Sequence, residues 1–225
     1  MFDLKWLILC KPAFPKRLRV PMAVLSGFLL TACSGGGDGA PVAAPPSAGL
    51  IALPKTGQTT CFDAAGVALA SCTGTGHDGD LQTGVAEPSP RFTLDGTGGC
   101  IIDNLTGLMW TRNANLPAGA GAATTGVRTW QLALDYANTL SLCGFSDWRL
   151  PNRKELRSLV NYNLANNATA LNTLGFNGVQ ADYFWSSSSH AGSANAAWMV
   201  SMSVGAAQLS GKSGGNYVWP VRAGQ

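Results

Sequence analysis

The chain has 225 residues, of which 46% are apolar and 12% are charged, and its 28 glycines follow no regular period. This composition excludes a disordered chain and a collagen-like chain, and the length allows one or two domains. The net charge of +3 is unevenly distributed: residues 1–32 carry five basic residues and one acidic residue, whereas residues 33–225 carry 10 basic and 11 acidic residues. The chain after residue 32 is therefore nearly neutral, and its charge gives no support for nucleic-acid binding.

The N-terminal segment has the pattern of an export and lipidation signal. A basic stretch at residues 16–19 precedes the apolar run Val20–Ala32, which has 13 residues and is shorter than a membrane span, since a spanning helix needs ~20. The run ends in Leu-Thr-Ala-Cys, which resembles the lipobox of bacterial lipoproteins, where cleavage precedes a cysteine that is then acylated. We expect residues 1–32 to be the signal peptide and Cys33 to be the lipidation site. An ordinary signal peptide with a chance cysteine is the alternative.

The residues after the signal predict where the protein resides. Ser34 follows the predicted lipidation site, and this resembles the pattern that permits sorting to the outer membrane. Residues 33–53 are rich in Gly, Pro and Ala without a periodic apolar pattern, which is typical of a tether. The sequence predicts an outer-membrane lipoprotein that is held to the membrane by its lipid and faces the periplasm or the cell surface.

Four further cysteines predict disulfides: Cys61, Cys72, Cys100 and Cys143. An even number in an exported chain is typical of disulfides, and four cysteines allow three connectivities. We favour Cys61–Cys72, which closes a short hairpin-like stretch, and Cys100–Cys143, which ties a strand start to the segment after the first helix. Metal binding is the competing interpretation. Because no Cys-x-x-Cys is present and both histidines are distant in sequence, neither a metal site nor a cofactor is predicted.

The folded part divides into two predicted regions. Residues 54–90 have few large apolar residues and many turn formers, which indicates a small hairpin-rich module that depends on the main domain. Its segment His77–Asp80 is either a cation-binding turn or a plain polar turn, and the second is favoured because the spacing of an EF-hand loop is missing. Residues 91–223 are predicted to form one domain.

The predicted elements of this domain begin with short strands at 92–94, 100–103 and 107–111. A first helix follows the candidate N-cap Thr129, with Trp130, Ala133, Leu134, Ala137 and Leu140 at helical spacing. Asn152 and Glu155 form an approximate capping box for a second helix. A loop is predicted after Asn161, and further strands at 183–188, 198–203, 206–210 and 218–222. Two helices followed by a mostly antiparallel sheet indicate an α+β fold.

Five sequence segments, taken together and in this order, are typical of a known protein family: TGLMWTR (106–112), LCGFSDWRLPNRKEL (142–156), YFWSSSS (183–189), AAWMVSMSVG (196–205) and YVWPVRAGQ (217–225). They resemble the Lcl C-terminal domain family over roughly residues 90–223. The resemblance implies a C-type-lectin-like fold, surface exposure and an adhesive role, because the family's namesake is the tip of a collagen-like bacterial adhesin that binds sulfated polysaccharides. This chain lacks the collagen repeats of the namesake, so a trimer is not implied.

A basic cluster is the main candidate for ligand binding: Arg149, Arg153, Lys154 and Arg157. An anionic glycan would suit these side chains, because arginine pairs bidentately with anionic oxygens. The alternative is that Arg149 pairs with Asp147 or with a carbonyl group, and that the helix arginines form a solvated face.

The aromatic residues are the second candidate. Six tryptophans follow the signal, and most are expected in the core, with Trp185 and Tyr183 as the expected exposed exceptions that could stack on a sugar ring. The calcium motifs of sugar-binding C-type lectins are absent. The serine run at 186–189 beside His190 predicts a polar strand and no nucleophile.

The sequence therefore predicts a lipid-anchored binding or adhesion module for anionic or other glycans, and no enzyme. The alternative is a structural component of the envelope that binds other proteins and no small ligand.

Overall fold

The fold combines two β-sheets with short helices, and the computed structural model describes residues 53–116 and 126–224. These residues belong to one compact unit, Leu50–Gln225. The predicted signal peptide, Cys33 and nearly all of the predicted tether lie outside the described residues. Within the described ranges, no helix combines the length and the apolar character that crossing a membrane requires.

The first sheet is antiparallel and contains the strands that the sequence predicts at the start of the domain. Its spatial order is β1 (Phe92–Leu94), β2 (Cys100–Asp103), β3 (Leu108–Thr111) and β9 (Val221–Ala223). The last strand of the chain thus pairs with β3, with Trp110 opposite Val221. This pairing brings the C-terminal segment back to the start of the domain.

The second sheet has five strands in the order β4 (Val127–Arg128), β8 (Asn216–Tyr217), β5 (Tyr183–His190), β6 (Ser193–Ser201) and β7 (Ala207–Gly211). All pairs are antiparallel except β5 with β8. Gly205 turns the chain between β6 and β7 at φ +74°, and a Cβ there would lie 2.4 Å from Val160 Cγ1. Glycine is required at this turn by both its backbone angle and the close approach.

Four helices occur in the described ranges: α1 (Asp78–Leu81), α2 (Trp130–Thr139), α3 (Arg153–Ser158) and α4 (Asn167–Thr173). Both predicted helices are confirmed as α2 and α3, and the α+β class is confirmed. Thr129 precedes α2 without a side-chain cap hydrogen bond, whereas Asn152 and Glu155 form the complete capping box of α3. The prediction of a loop after Asn161 is wrong over α4, which the side chain of Asn166 caps.

The core contains most of the tryptophan side chains. Trp110 and Trp219 meet edge to face at a centroid distance of 5.5 Å, in a cluster that also includes Phe176 and Phe184. Trp185 lies in a second cluster, against Ala133 and Ala137 of α2. Phe184 and Trp185 therefore face opposite sides of the second sheet, and both sides are covered.

Both favoured disulfides are confirmed. Cys61 is bonded to Cys72 in the N-terminal region, and Cys100 of β2 is bonded to Cys143 after α2. Cys100 is fully buried beside Met109 and Trp148, so the second disulfide is part of a core cluster.

The segment before β1 depends on backbone contacts with the rest of the unit. The carbonyl oxygen of Thr56 accepts a hydrogen bond from the amide of Tyr162 at 2.9 Å. Asn163 Oδ1 accepts hydrogen bonds from the amides of Thr59 and Thr60, both at 3.1 Å. These contacts fix the segment to the loop between α3 and α4.

Candidate functional site

An open depression of about 350 Å³ lies between the start of α3 and the β5–β6 hairpin. Its lining combines basic, hydroxyl, amide and aromatic side chains, from residues Asn152, Arg153, Lys154, Ser188, Ser189 and Trp198. Two members of the predicted basic cluster, Arg153 and Lys154, therefore meet here.

The segment before α3 is fixed to β5 by backbone hydrogen bonds. The amide of Ser187 donates to the carbonyl oxygen of Pro151 at 2.8 Å, and the amide of Arg153 donates to Ser188 Oγ at 3.1 Å. Asn152 Oδ1 accepts from the amides of Lys154 and Glu155. The start of α3 is thus held against the strand that forms the opposite wall of the depression.

Arg153 covers the indole of Trp198. Its guanidinium carbon lies 4.3 Å from the ring centroid, within the range of a cation–π contact. The indole face is therefore covered by a cation, while the N–H groups at the guanidinium edge stay available for a ligand. Trp198 orients the arginine rather than stacking on a sugar ring.

The depression is electropositive because its cations have no carboxylate partner. The salt bridges of the described residues join Arg91, Arg149 and Arg222 to acidic side chains, and none of them includes Arg153 or Lys154. Every polar side chain in the lining can donate a hydrogen bond, including the hydroxyl groups of Ser188 and Ser189. The arrangement suits a ligand that carries acceptor oxygens and negative charge.

Arg149 is a structural residue, and the proposed pairing of Arg149 with Asp147 is wrong. Its two terminal nitrogens donate to the Glu155 carboxylate at 2.8 and 2.7 Å. This hydrogen bonding raises the pKa of Arg149 above its usual value. Asp147 instead accepts from Arg222 at 2.7 and 3.1 Å, which lowers the pKa of Asp147. The helix brings Glu155 to Arg149, and the strand pairing of β9 brings Arg222 to Asp147.

Trp185 is the clearest correction among the candidate residues. It was expected to be exposed, but its side chain has 0% exposure. Its indole N–H donates to the carbonyl oxygen of Arg128 at 2.8 Å. A ligand cannot reach this ring, and Trp185 therefore does not belong to the candidate site.

Tyr183 and Arg157 lie away from the depression. Tyr183 is half-buried at the opposite end of β5 from Ser188, a separation of about 16 Å at about 3.3 Å per residue. Arg157 is exposed on α3, but its guanidinium donates to the Tyr162 hydroxyl at 2.9 and 2.6 Å. Neither residue lines the depression.

Sequence reasoning missed four lining residues: Asn152, Ser188, Ser189 and Trp198. Asn152 was identified only as a helix cap, and the serines only as part of a strand. The alternation of Trp198 with Val200 favours a core position, whereas Trp198 is half-buried in the middle of β6, opposite the register shift between Trp185 and Ser189 of β5. The pattern of β6 does not indicate this exposure, because the register shift belongs to β5.

Two predicted polar features have structural roles. Asp78 accepts a hydrogen bond from the Thr56 hydroxyl, and Asp80 accepts one from the amide of Gly76 at 3.0 Å. Ser186 Oγ donates to the carbonyl oxygen of Trp198 at 2.7 Å. In the described ranges, a cluster with metal-ligand side chains occurs at Asp95, Cys100 and Cys143, but its two sulfur atoms are joined in a disulfide. The absence of a metal, a cofactor and an enzymatic activity stays a prediction.

Comparison with known proteins identifies one family. The family model of the Lcl C-terminal domain matches residues 99–222, which is more than half of the chain. The match spans β2 to β9 and includes the whole lining of the depression. No curated protein matches the chain.

Proposed function

The chain belongs to the Lcl C-terminal domain family, and from this premise we propose that it is a lipid-anchored binding module of the bacterial cell envelope, with anionic glycans as ligands. Family membership supports a C-type-lectin-like fold and an adhesive role. The lipobox-like segment at Cys33 supports an anchor in the outer membrane. The ligand class is argued from the depression.

One observation carries the ligand class: the lining of the depression contains hydrogen-bond donors and unpaired cations but no carboxylate. A neutral sugar offers hydroxyl groups that both donate and accept, and this lining presents two cations with no acidic acceptor. A sulfate ester or a uronate supplies the missing negative charge, and guanidinium groups pair with such oxygens in a bidentate manner.

The test compares Arg153→Ala with Arg157→Ala. Both changes remove one arginine from α3, but only Arg153 lines the depression, so Arg157→Ala is a control of equal net charge. Binding of the purified chain to immobilised dextran sulfate and to uncharged dextran is measured for the wild type and for each variant.

We expect the wild type to bind dextran sulfate and not dextran. Loss of a charge-assisted hydrogen bond costs ~1.5–3 kcal/mol, so Arg153→Ala should weaken binding roughly tenfold to a hundredfold, whereas Arg157→Ala should change it less than about twofold. Equal losses in the two variants would indicate unspecific charge attraction. Equal binding to both polymers would contradict the anionic ligand class.

A further inference from the structure

Among the described strands, β7 is at an edge of the second sheet, and about half of its backbone groups point away from β6. The amide of Ser201 donates to the carbonyl oxygen of Ala206, and the amide of Lys212 donates to that of Asn195. In an antiparallel pair, residues alternate between bonded and non-bonded positions. Gln208 and Ser210 therefore bond to β6, and the alternate residues Ala207, Leu209 and Gly211 direct their N–H and C=O groups away from β6. The carbonyl oxygen of Gly211 accepts a hydrogen bond from the amide of Gly214 at 2.9 Å, so the outer groups without a partner among the described residues are those of Ala207 and Leu209 and the amide of Gly211.

This edge lacks the features with which proteins usually protect edge strands. Segment 206–211 contains no charged residue and no proline, and its pairing with β6 continues without a register shift. Charged residues, prolines and bulges are the usual protection against association of edges. Leu209 is 41% exposed, on the same side of the sheet as Trp198, its partner in β6.

We propose that β7 is a self-association surface on which a second copy of this chain pairs antiparallel, with Leu209 on the two-fold axis. The N–H and C=O groups of Leu209 meet the same groups of the second copy, and the amide of Gly211 meets the carbonyl oxygen of Ala207 of the second copy, so the strand is complementary to itself. Leu209 faces Leu209 of the second copy, and Ala207 faces Gly211 of the second copy. Gln208 faces Ser210 of the second copy on the other side of the sheet, where their side chains can hydrogen-bond.

Charge also favours a second copy. Lys212 is the sole charged residue from 193 to 217, and the two-fold axis places it opposite Ala206 of the second copy rather than opposite another lysine. Pairing therefore brings no like charges together, and a charged foreign peptide finds no counter-charge along 206–211. The two copies would continue one sheet from five strands to about ten, near the upper size of open sheets.

The association is expected to be weak, because one strand pair buries less than a standard protein interface. We therefore expect a monomer–dimer equilibrium in the micromolar range, which sedimentation velocity on the purified full chain in detergent at ~1–200 μM resolves. Monomers throughout this range would overturn the proposal.

The decisive variant is Leu209→Lys, which places two lysines face to face on the axis and should leave only monomers. Leu94→Lys makes the same change at an exposed leucine of β1, in the first sheet, and should leave the dimer unchanged. Leu209→Pro removes an outward N–H that β6 does not use, and it should also abolish the dimer. Tryptophan fluorescence verifies that each variant is folded. Dimers in both Leu209 variants would contradict β7 pairing, whatever the outcome of the dextran sulfate test, since mass does not depend on glycan binding.

Discussion

At the residue scale, Glu155 has two roles that a single substitution removes together. Its carboxylate accepts a hydrogen bond from the amide of Asn152 at 2.8 Å, which completes the capping box, and it also binds both terminal nitrogens of Arg149. Because Glu155→Ala leaves the cap incomplete and Arg149 without its carboxylate, we expect the free energy of unfolding to fall by about 2 kcal/mol. Urea denaturation measures this change.

The exposed Asp135 of α2 provides the matched control for Glu155. Its carboxylate accepts one hydrogen bond from Gln131, one turn earlier in the helix. Asp135→Ala removes the same charge, and we expect a change within about 0.5 kcal/mol. Equal losses for the two variants would show that helix charge, rather than the cap and the ion pair, is the origin of the effect.

Asp147 predicts a pH dependence with a definite sign. The hydrogen bond from Arg222 lowers the pKa of Asp147 in the folded state. A lowered pKa contributes stability above the unfolded-state pKa of about 3.9, and this stability is lost as the pH falls through the folded-state pKa. Asp147→Asn should therefore lower the melting temperature at pH 7, and the difference from the wild type should shrink as the pH falls below the unfolded-state pKa. A difference that stays constant with pH would contradict this account.

Individual residues differ in how far the sequence determines their environment. The capping box at Asn152 and Glu155 is local, and its spacing predicted it correctly. The predicted partner of Arg149 is wrong because Asp147 is bound by Arg222 instead. Arg222 belongs to β9, which is distant in sequence and reaches Asp147 through its pairing with β3. Trp185 was misplaced because alternation within a strand separates two faces but does not show whether one or both are covered.

At the element scale, the two disulfides are expected to differ in their effect on stability. Cys100–Cys143 closes a loop of 43 residues, and Cys61–Cys72 closes one of 11 residues. Loop entropy gives about 4 kcal/mol for the first and about 3 kcal/mol for the second. The second effect should be confined to the segment before β1, because both of its cysteines lie there. All tryptophans of the described residues lie in the main domain, so their fluorescence reports the unfolding of that domain.

Paired Cys→Ala variants test this expectation by urea denaturation followed through tryptophan fluorescence. Removing Cys100 and Cys143 should lower the transition midpoint markedly, because that disulfide lies in a core cluster with Met109 and Trp148. Removing Cys61 and Cys72 should change the same midpoint little. A larger shift in the second variant would show that the N-terminal segment stabilises the whole unit.

The helix α4 shows where element prediction from sequence ends. Its seven residues, Asn-Ala-Thr-Ala-Leu-Asn-Thr, have low helix propensity, and only Ala168 and Leu171 give a buried apolar face. The helix is fixed by tertiary contacts: the amides of Asn167 and Ala168 donate to the carbonyl oxygens of Ser203 and Met202. These contacts depend on the position of the β6–β7 turn, and no local sequence pattern near residue 167 predicts that position.

At the scale of the whole molecule, lipid attachment at Cys33 is the prediction with the widest consequences. Cells that express the full chain and are labelled with radioactive palmitate should give a labelled protein that partitions into the membrane fraction. Cys33→Ser should abolish the label, whereas Cys10→Ser, in the predicted signal peptide, should leave it unchanged. Labelling of the Cys33→Ser variant would contradict the assignment.

The order of the disulfides along the chain has a consequence for biogenesis. Cys61 pairs with the next cysteine, Cys72, and Cys100 pairs with the next, Cys143. A chain that leaves an export channel from its N-terminus presents each native pair in succession, so an oxidant that joins cysteines in order of emergence forms both native bonds. Of the two earlier cysteines, Cys10 lies in the predicted signal peptide, and the predicted acylation of Cys33 removes the other thiol that could compete. Maturation of this protein should therefore need a thiol oxidant but no disulfide isomerase.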